Sequence, residues 1–234
     1  MHRLLALNLI VFLFTVLFSP LSVRASEPFF EDFSKGINNQ GFPKGWKLKQ
    51  WFGNTRTIEI HTEDENRVLY LKSQKESFGI YKDHDFDAQA TPFITWRWKV
   101  TRIPTGGDVR EKKKDDQAAQ LYVMFPRFPK MLNTRMVGYI WESGAPKGAT
   151  LTSRKSSNTR YVVLQSGEEH LGKWVTEKRN IYKDYRALFN EEPPKGGGIT
   201  IMIDSDDTGT SAESYFDDIT IGNEPFRALG LGSP

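Results

Sequence analysis

Six consecutive residues, Asp204-Ser205-Asp206-Asp207-Thr208-Gly209, set oxygen-bearing side chains ahead of a glycine. Carboxylates spaced before a glycine turn can wrap a hard cation such as calcium. The stretch is not an EF-hand: counted from Asp204, the fifth position is Thr208 and the twelfth is Tyr215, where a bidentate glutamate belongs. A turn at a strand end favours the same composition. Asp204 and Asp206 therefore stand either as ligand-binding residues or as turn formers. A second acidic pair, Asp115-Asp116, precedes the apolar segment Gln120–Phe125, which carries Tyr122. A loop carboxylate beside a tyrosine can hydrogen-bond sugar hydroxyls, or it can cap a loop. A third pair lies in Tyr215-Phe216-Asp217-Asp218-Ile219-Thr220-Ile221. Strand alternation puts Asp217 on the face of Ile219 and Ile221, and Asp218 on the other face with Phe216 and Thr220. An inward Asp217 needs a hydrogen-bonding partner or a metal. The opposite facing argues against the two acting as a catalytic pair.

Six tryptophans make the chain rich in flat side chains, which stack on the apolar faces of sugar rings. Trp51, beside Phe52-Gly53-Asn54, and Trp141, beside Glu142 at a strand end, are the platform candidates. Trp96 and Trp98 read as core. Several chemistries drop out. His61, His84 and His170 show no ligand spacing, which disfavours a zinc hydrolase. There is no cysteine for thiol catalysis and no Gly-x-Ser-x-Gly elbow. Gly196-Gly197-Gly198 lacks the lysine of a phosphate loop.

The elements that must position these residues are mostly strands. In Phe93–Val100, Trp96, Trp98 and Val100 fall on one face and Arg97 and Lys99 on the other, a period of two. The same pattern recurs at Arg56–Thr62, Arg67–Ser73, Ser77–His84, Gln120–Phe125, Met136–Glu142, Arg160–Gln165, Trp174–Arg179, Ile199–Asp204 and Ser214–Ile221. Gly, Pro, Asn and Asp clusters separate the segments. Many short strands with regular turns predict an all-β fold, a single jelly-roll sandwich. One helix is expected near residues 181–190: Ile181, Tyr185, Leu188 and Phe189 recur at helical spacing behind Asn180 as N-cap. It should cover an end or edge of the sandwich.

The chain opens with Met1-His2-Arg3, an apolar run from Leu4 to Phe18, a break at Ser19-Pro20 and small residues at Val23-Arg24-Ala25. That order is a secretory signal peptide, and the run is too short for a membrane anchor. The expected organisation is a signal peptide over 1–25, a β-sandwich over 26–222 and a tail over 223–234. Localisation would be periplasmic or secreted, with no stable membrane anchor after cleavage. A net charge of +3 over 234 residues gives no electrostatic case for nucleic acid.

Phe30-Glu31-Asp32-Phe33, Trp96-Arg97-Trp98-Lys99-Val100, Asp115-Asp116-Gln117-Ala118-Ala119, Tyr139-Ile140-Trp141, Arg179-Asn180-Ile181-Tyr182-Lys183-Asp184-Tyr185 and Asp204-Ser205-Asp206-Asp207-Thr208 occur in that order. In these motifs the chain resembles DUF3047, a bacterial family of uncharacterised function. The chain departs from that pattern at Gln120, where the family often carries Arg. More broadly it resembles galactose-binding-like jelly rolls of the carbohydrate-binding-module type. In many of those domains the two chain ends meet around a structural calcium. Carried over, this implies Glu31 and Asp217 as metal ligands. Fold likeness does not fix function.

Three functions remain open. The first is a non-catalytic binding module for a glycan or another polar envelope ligand. Its candidate residues are Asp115, Asp116, Tyr122, Trp141, Arg179, Asp184, Asp204, Asp206 and Trp51. The second is an envelope polysaccharide-active enzyme, in which Asp115, Asp116, Arg179, Asp184, Asp204 and Asp206 converge in one cleft. The third is a structural or assembly factor that binds another protein. No cofactor is fixed by the pattern; calcium is the one it suggests.

Overall fold

The computed structural model describes residues 28–224. The signal peptide expected over 1–25 and residues 225–234 of the tail lie outside the described residues. Among the described residues thirteen strands follow one another: β1 (Phe29–Glu31), β2 (Lys47–Phe52), β3 (Thr57–Glu63), β4 (Asn66–Gln74), β5 (Ser77–Phe86), β6 (Phe93–Arg102), β7 (Ala119–Phe125), β8 (Arg135–Glu142), β9 (Thr150–Thr152), β10 (Thr159–Ser166), β11 (Val175–Asn180), β12 (Gly196–Asp204) and β13 (Ser211–Gly222). A one-turn helix, α1 (Lys130–Asn133), sits between β7 and β8, and α2 (Ile181–Phe189) between β11 and β12.

The strands form two sheets. One runs β11-β6-β13-β4-β3, with β1 also paired to β13; the other runs β2-β5-β12-β7-β8-β10-β9. The molecule is an all-β jelly-roll sandwich. All ten strands expected from period-two patterning are present. The three additional strands, β1, β2 and β9, are short or carry no clear alternation. The inner faces follow the pattern of the sequence: Trp96, Trp98 and Val100 from β6 meet Leu121, Val123 and Phe125 from β7 and Ile199, Ile201 and Ile203 from β12 in one buried core. Edge-on aromatic contacts knit it, with Trp96–Trp98 centroids 5.3 Å apart and Trp98–Trp141 centroids 6.0 Å apart.

Helix α2 begins where the sequence indicates. The Asn180 side chain accepts a hydrogen bond from Lys183 N at 2.9 Å. It ends at Asn190 in the left-handed conformation (φ 54°), before Pro193 is reached. Ile181 and Tyr185 enter the core, so the helix covers one end of the sandwich.

Strand β13 departs from simple alternation. Ala212, Ser214 and Phe216 are buried, then Ile219 and Ile221, so the inward parity shifts between the two sets. A β-bulge between Asp217 and Thr220, with Asp218 at φ 51°, absorbs the extra residue. Asp217 therefore does not share the face of Ile219 and Ile221. Both acids turn to the outer face, where Arg97 Nη2 lies 2.5 Å from Asp217 and Nε lies 2.9 Å from Asp218.

Candidate functional site

The outer face of the seven-stranded sheet carries an open cleft of about 1100 Å³. Its floor follows from strand register. Tyr81 on β5 is opposite Thr200 on β12, Thr200 opposite Tyr122 on β7, Tyr122 opposite Gly138 on β8, and Gly138 opposite Tyr161 on β10. One cross-strand row thus runs Tyr81–Thr200–Tyr122–Gly138–Tyr161. Met124, Met136 and Met202 line the cleft on either side of that row. Tyr81 is half-buried, and Tyr122 and Tyr161 are buried to 3% and 5% exposure. Burial pushes the Tyr122 phenol well up and the Tyr161 phenol to about 12, so both stay neutral.

The Tyr122 hydroxyl donates to Gln120 Oε1. That leaves the Gln120 Nε2 group buried in the cleft lining with no partner among the described residues. A buried amide donor in this state seeks an oxygen.

The acidic end arises because β7 and β12 are antiparallel neighbours. The residues before β7 and those after β12 therefore fall at the same end of the sheet. Asp115-Asp116 and Asp204–Asp207 meet there. Asp116 accepts the amides of Asp207 (3.1 Å) and Thr208 (2.6 Å), which ties the two segments together. Asp204 N donates to Gln117 O at 3.1 Å. The turn between β9 and β10 supplies Lys155, whose Nζ lies 2.5 Å from Asp207 Oδ2 and 3.9 Å from Asp204 Oδ2. Burial, reinforced by neighbouring Asp206, pushes the Asp204 carboxyl well above the usual range. Burial likewise raises Asp115 against its hydrogen bond from Gln117. Lys155 is held up: burial works against its charge, but Asp204 and its neighbours outweigh it.

Of the sequence candidates, Asp115, Tyr122, Asp204 and Asp206 line this cleft, and Asp116 stands behind them. Arg179 and Asp184 do not join them. They form a two-pronged ion pair (2.9 and 2.6 Å) between β11 and the first turn of α2, with Asp184 also accepting from the Tyr139 hydroxyl at 2.8 Å. Trp141 is no platform. It is 1% exposed in the core, with Nε1 donating to Gly167 O, because β8 turns Val137, Tyr139 and Trp141 inward. The side chain of Trp51 lies outside the described residues.

The calcium site implied at Glu31 and Asp217 is not assembled. The chain ends do meet, with Glu31 opposite Ile219. Glu31, however, takes Phe33 N, Trp46 Nε1 and Lys82 Nζ, the last at 2.5 Å, so an ammonium already stands where a cation would. Asp217 takes Arg97 and Asn66. The donor sets are separate and do not fit a shared metal.

Sequence reasoning missed Tyr81, Gln120, Gly138, Lys155, Tyr161 and Thr200 as site residues. Tyr81, Gln120, Gly138, Tyr161 and Thr200 share one signal, outward parity on strands whose order in the sheet the sequence does not state; Lys155, in the turn between β9 and β10, has none.

Fold and site define a β-sandwich protein with a cleft laid across one sheet face. The chain belongs to the family described as "Protein of unknown function (DUF3047)", whose sequence profile matches residues 44–220. No curated protein matches it. Among solved structures it is similar to the family 11 carbohydrate-binding module of the cellulosomal cellulase Lic26A-Cel5E of Clostridium thermocellum, at 10% identity and TM-score 0.46, over 87% of this chain and 99% of that one. It is also similar to the family 11 module from the same organism in complex with a β-1,3-1,4-mixed-linked tetrasaccharide, at 10% identity and TM-score 0.43, over 84% and 96%. A third is the K1 cleaved adhesin domain of Lys-gingipain from Porphyromonas gingivalis W83, at 11% identity and TM-score 0.43, over 85% and 99%.

Proposed function

We propose that the cleft binds a polyhydroxylated ligand of the glycan class without changing it chemically. The observation that carries this reading is the row Tyr81–Thr200–Tyr122–Gly138–Tyr161 crossing the sheet beside the orphan Gln120 amide. A sugar ring has an apolar face and a rim of hydroxyls. The aromatic and methionine floor suits the face, and the amide and carboxylates suit the rim. Tyr81 and Tyr122 are two strand spacings apart, about 10 Å, room for more than one ring along the row. The expected catalytic constellation is incomplete, since Arg179 and Asp184 pair elsewhere.

The test is affinity electrophoresis of the protein in gels containing neutral and acidic polysaccharides. Wild type should be retarded by at least one of them. Tyr81→Ala should weaken retardation about tenfold with unchanged melting temperature; Gln120→Ala should weaken it about as much, with a lowered melting temperature because the buried Tyr122 hydroxyl loses its acceptor. Retardation by none of the polysaccharides, or variants that bind like wild type, would refute the reading. Release of new reducing ends on incubation would replace binding with hydrolysis. The domain is proposed to work in the periplasm or outside the cell, supported by the apolar leader Leu4–Phe18. Recovery of the expressed protein in the cytoplasmic fraction would exclude that.

A further inference from the structure

We propose that Asp116, Asp204 and Asp206 hold a hard divalent cation, of the calcium class, at the acidic end of the cleft. One carboxylate oxygen from each of the three lies within 4.8 Å of the others. That spacing lets one ion reach all three at ordinary calcium–oxygen distances, about 2.3–2.6 Å. The donors are all oxygen, which selects calcium, magnesium or manganese over zinc or copper.

The charge balance points the same way. Among the described residues, Asp115, Asp116, Asp204, Asp206 and Asp207 gather around a single cation, Lys155. Asp115, Asp116 and Asp204 are at most 3% exposed. Buried carboxylates need pairing, protonation or a metal, and one ammonium cannot pair five. Lys155 also lies to one side, in contact with Asp207 and 3.9 Å from Asp204.

A second observation is independent of the three ligands. Asp115 is 2% exposed, lines the same end of the cleft, and leaves its Oδ2 with no hydrogen-bond partner among the described residues. Asp206 Oδ1 likewise has no partner among the described residues. Asp116 is occupied on each oxygen by one backbone amide, but a carboxylate oxygen has a second lone pair to offer. Those amides hold Asp116 and the 204–208 turn in fixed relation, so the ligands are set before an ion arrives. The site differs from the Glu31–Asp217 site that resemblance implied, and it does not rest on the glycan reading.

The test uses the full protein stripped with a chelator and titrated with calcium chloride alone. Calorimetry should show one ion bound per chain, and the melting temperature should rise as the site fills. Asp204→Asn and Asp206→Asn keep side-chain shape and remove repulsion, so both should fold; each should abolish the heat and the melting shift. Asp184→Asn, in the pair between β11 and α2, should bind like wild type. No binding heat and no melting shift in wild type at about 10 mM calcium, some tenfold above the weak end for exported calcium modules, would overturn the proposal. So would undiminished binding by Asp204→Asn and Asp206→Asn, which would locate the ion elsewhere.

Discussion

Gly138 lies directly under the Tyr122 ring: a Cβ placed on it would stand 2.7 Å from Tyr122 Cε1 and 2.9 Å from Tyr161 Cδ1. The two rings, with centroids 6.2 Å apart, rest on the sheet because the strand between them has no side chain at that row. Gly138→Ala should lift both rings and distort the cleft floor. The expected result is a stability loss of about 1–3 kcal/mol from overpacking, and a larger loss of glycan retention. Denaturant titration and affinity electrophoresis on the same preparation separate the two. Retention at the wild-type level would mean that the tyrosine row is not the floor the ligand uses.

Trp141 makes the opposite case. It is buried between Trp98 and the end of β10, and its indole N–H is satisfied by Gly167 O at 3.2 Å. Trp141→Ala leaves a cavity in the main core and should lower stability by about 3–5 kcal/mol. Where the variant remains folded, ligand affinity should be unchanged, because the cleft lies on the other face of the sheet. Affinity loss in a folded variant would show that the two faces are coupled.

What the sequence made legible divides along these two residues. Period two identified the strands carrying Trp96, Trp98, Leu121 and Ile201, because a side chain facing a core alternates with one that does not. It could not place Trp141, since β8 is covered on both faces: Tyr139 and Trp141 enter the main core, while Ile140 packs in a second cluster with Tyr122 and Val163. When both faces are apolar, parity no longer says which is outward. The acidic residues were legible as a set of turns. Their meeting depends on β7 lying beside β12, which is a long-range pairing with no local trace. Asp217 was misread for a different reason. A bulge is one extra residue, and a run such as Asp217-Asp218 hides it.

Asn180 offers a check on the helix that covers the end of the sandwich. Its Oδ1 receives the Lys183 amide, one of the four N–H groups a helix start leaves unpaired. Asn180→Ala should lower stability by about 1 kcal/mol, and Asn180→Asp or Asn180→Ser should recover most of it. Urea denaturation followed by tryptophan fluorescence would resolve this. An alanine variant equal to wild type would mean that the tertiary contacts of Ile181 and Tyr185 alone set the helix start.

Asp217 gives the fold a titration that can be isolated. Burial pushes its carboxyl up to about 6 from an ordinary 3.8, against the hydrogen bond from Arg97 and with added repulsion from Asp218. An acid whose folded value is raised binds its proton more tightly folded than unfolded. Its favourable contribution is complete below the unfolded value, near pH 4, and is lost as pH rises through about 6. On this group's account stability should fall with rising pH across that interval. Asp217→Asn keeps an acceptor for Arg97 and Asn66 and removes the proton. The difference in unfolding free energy between wild type and Asp217→Asn should therefore shift in favour of the variant between pH 4 and 6 and be flat above it, when both are measured by urea denaturation at matched ionic strength. A difference that stays constant across the interval would mean that Arg97 keeps Asp217 ionised throughout, and that the ion pair at the bulge outweighs the burial.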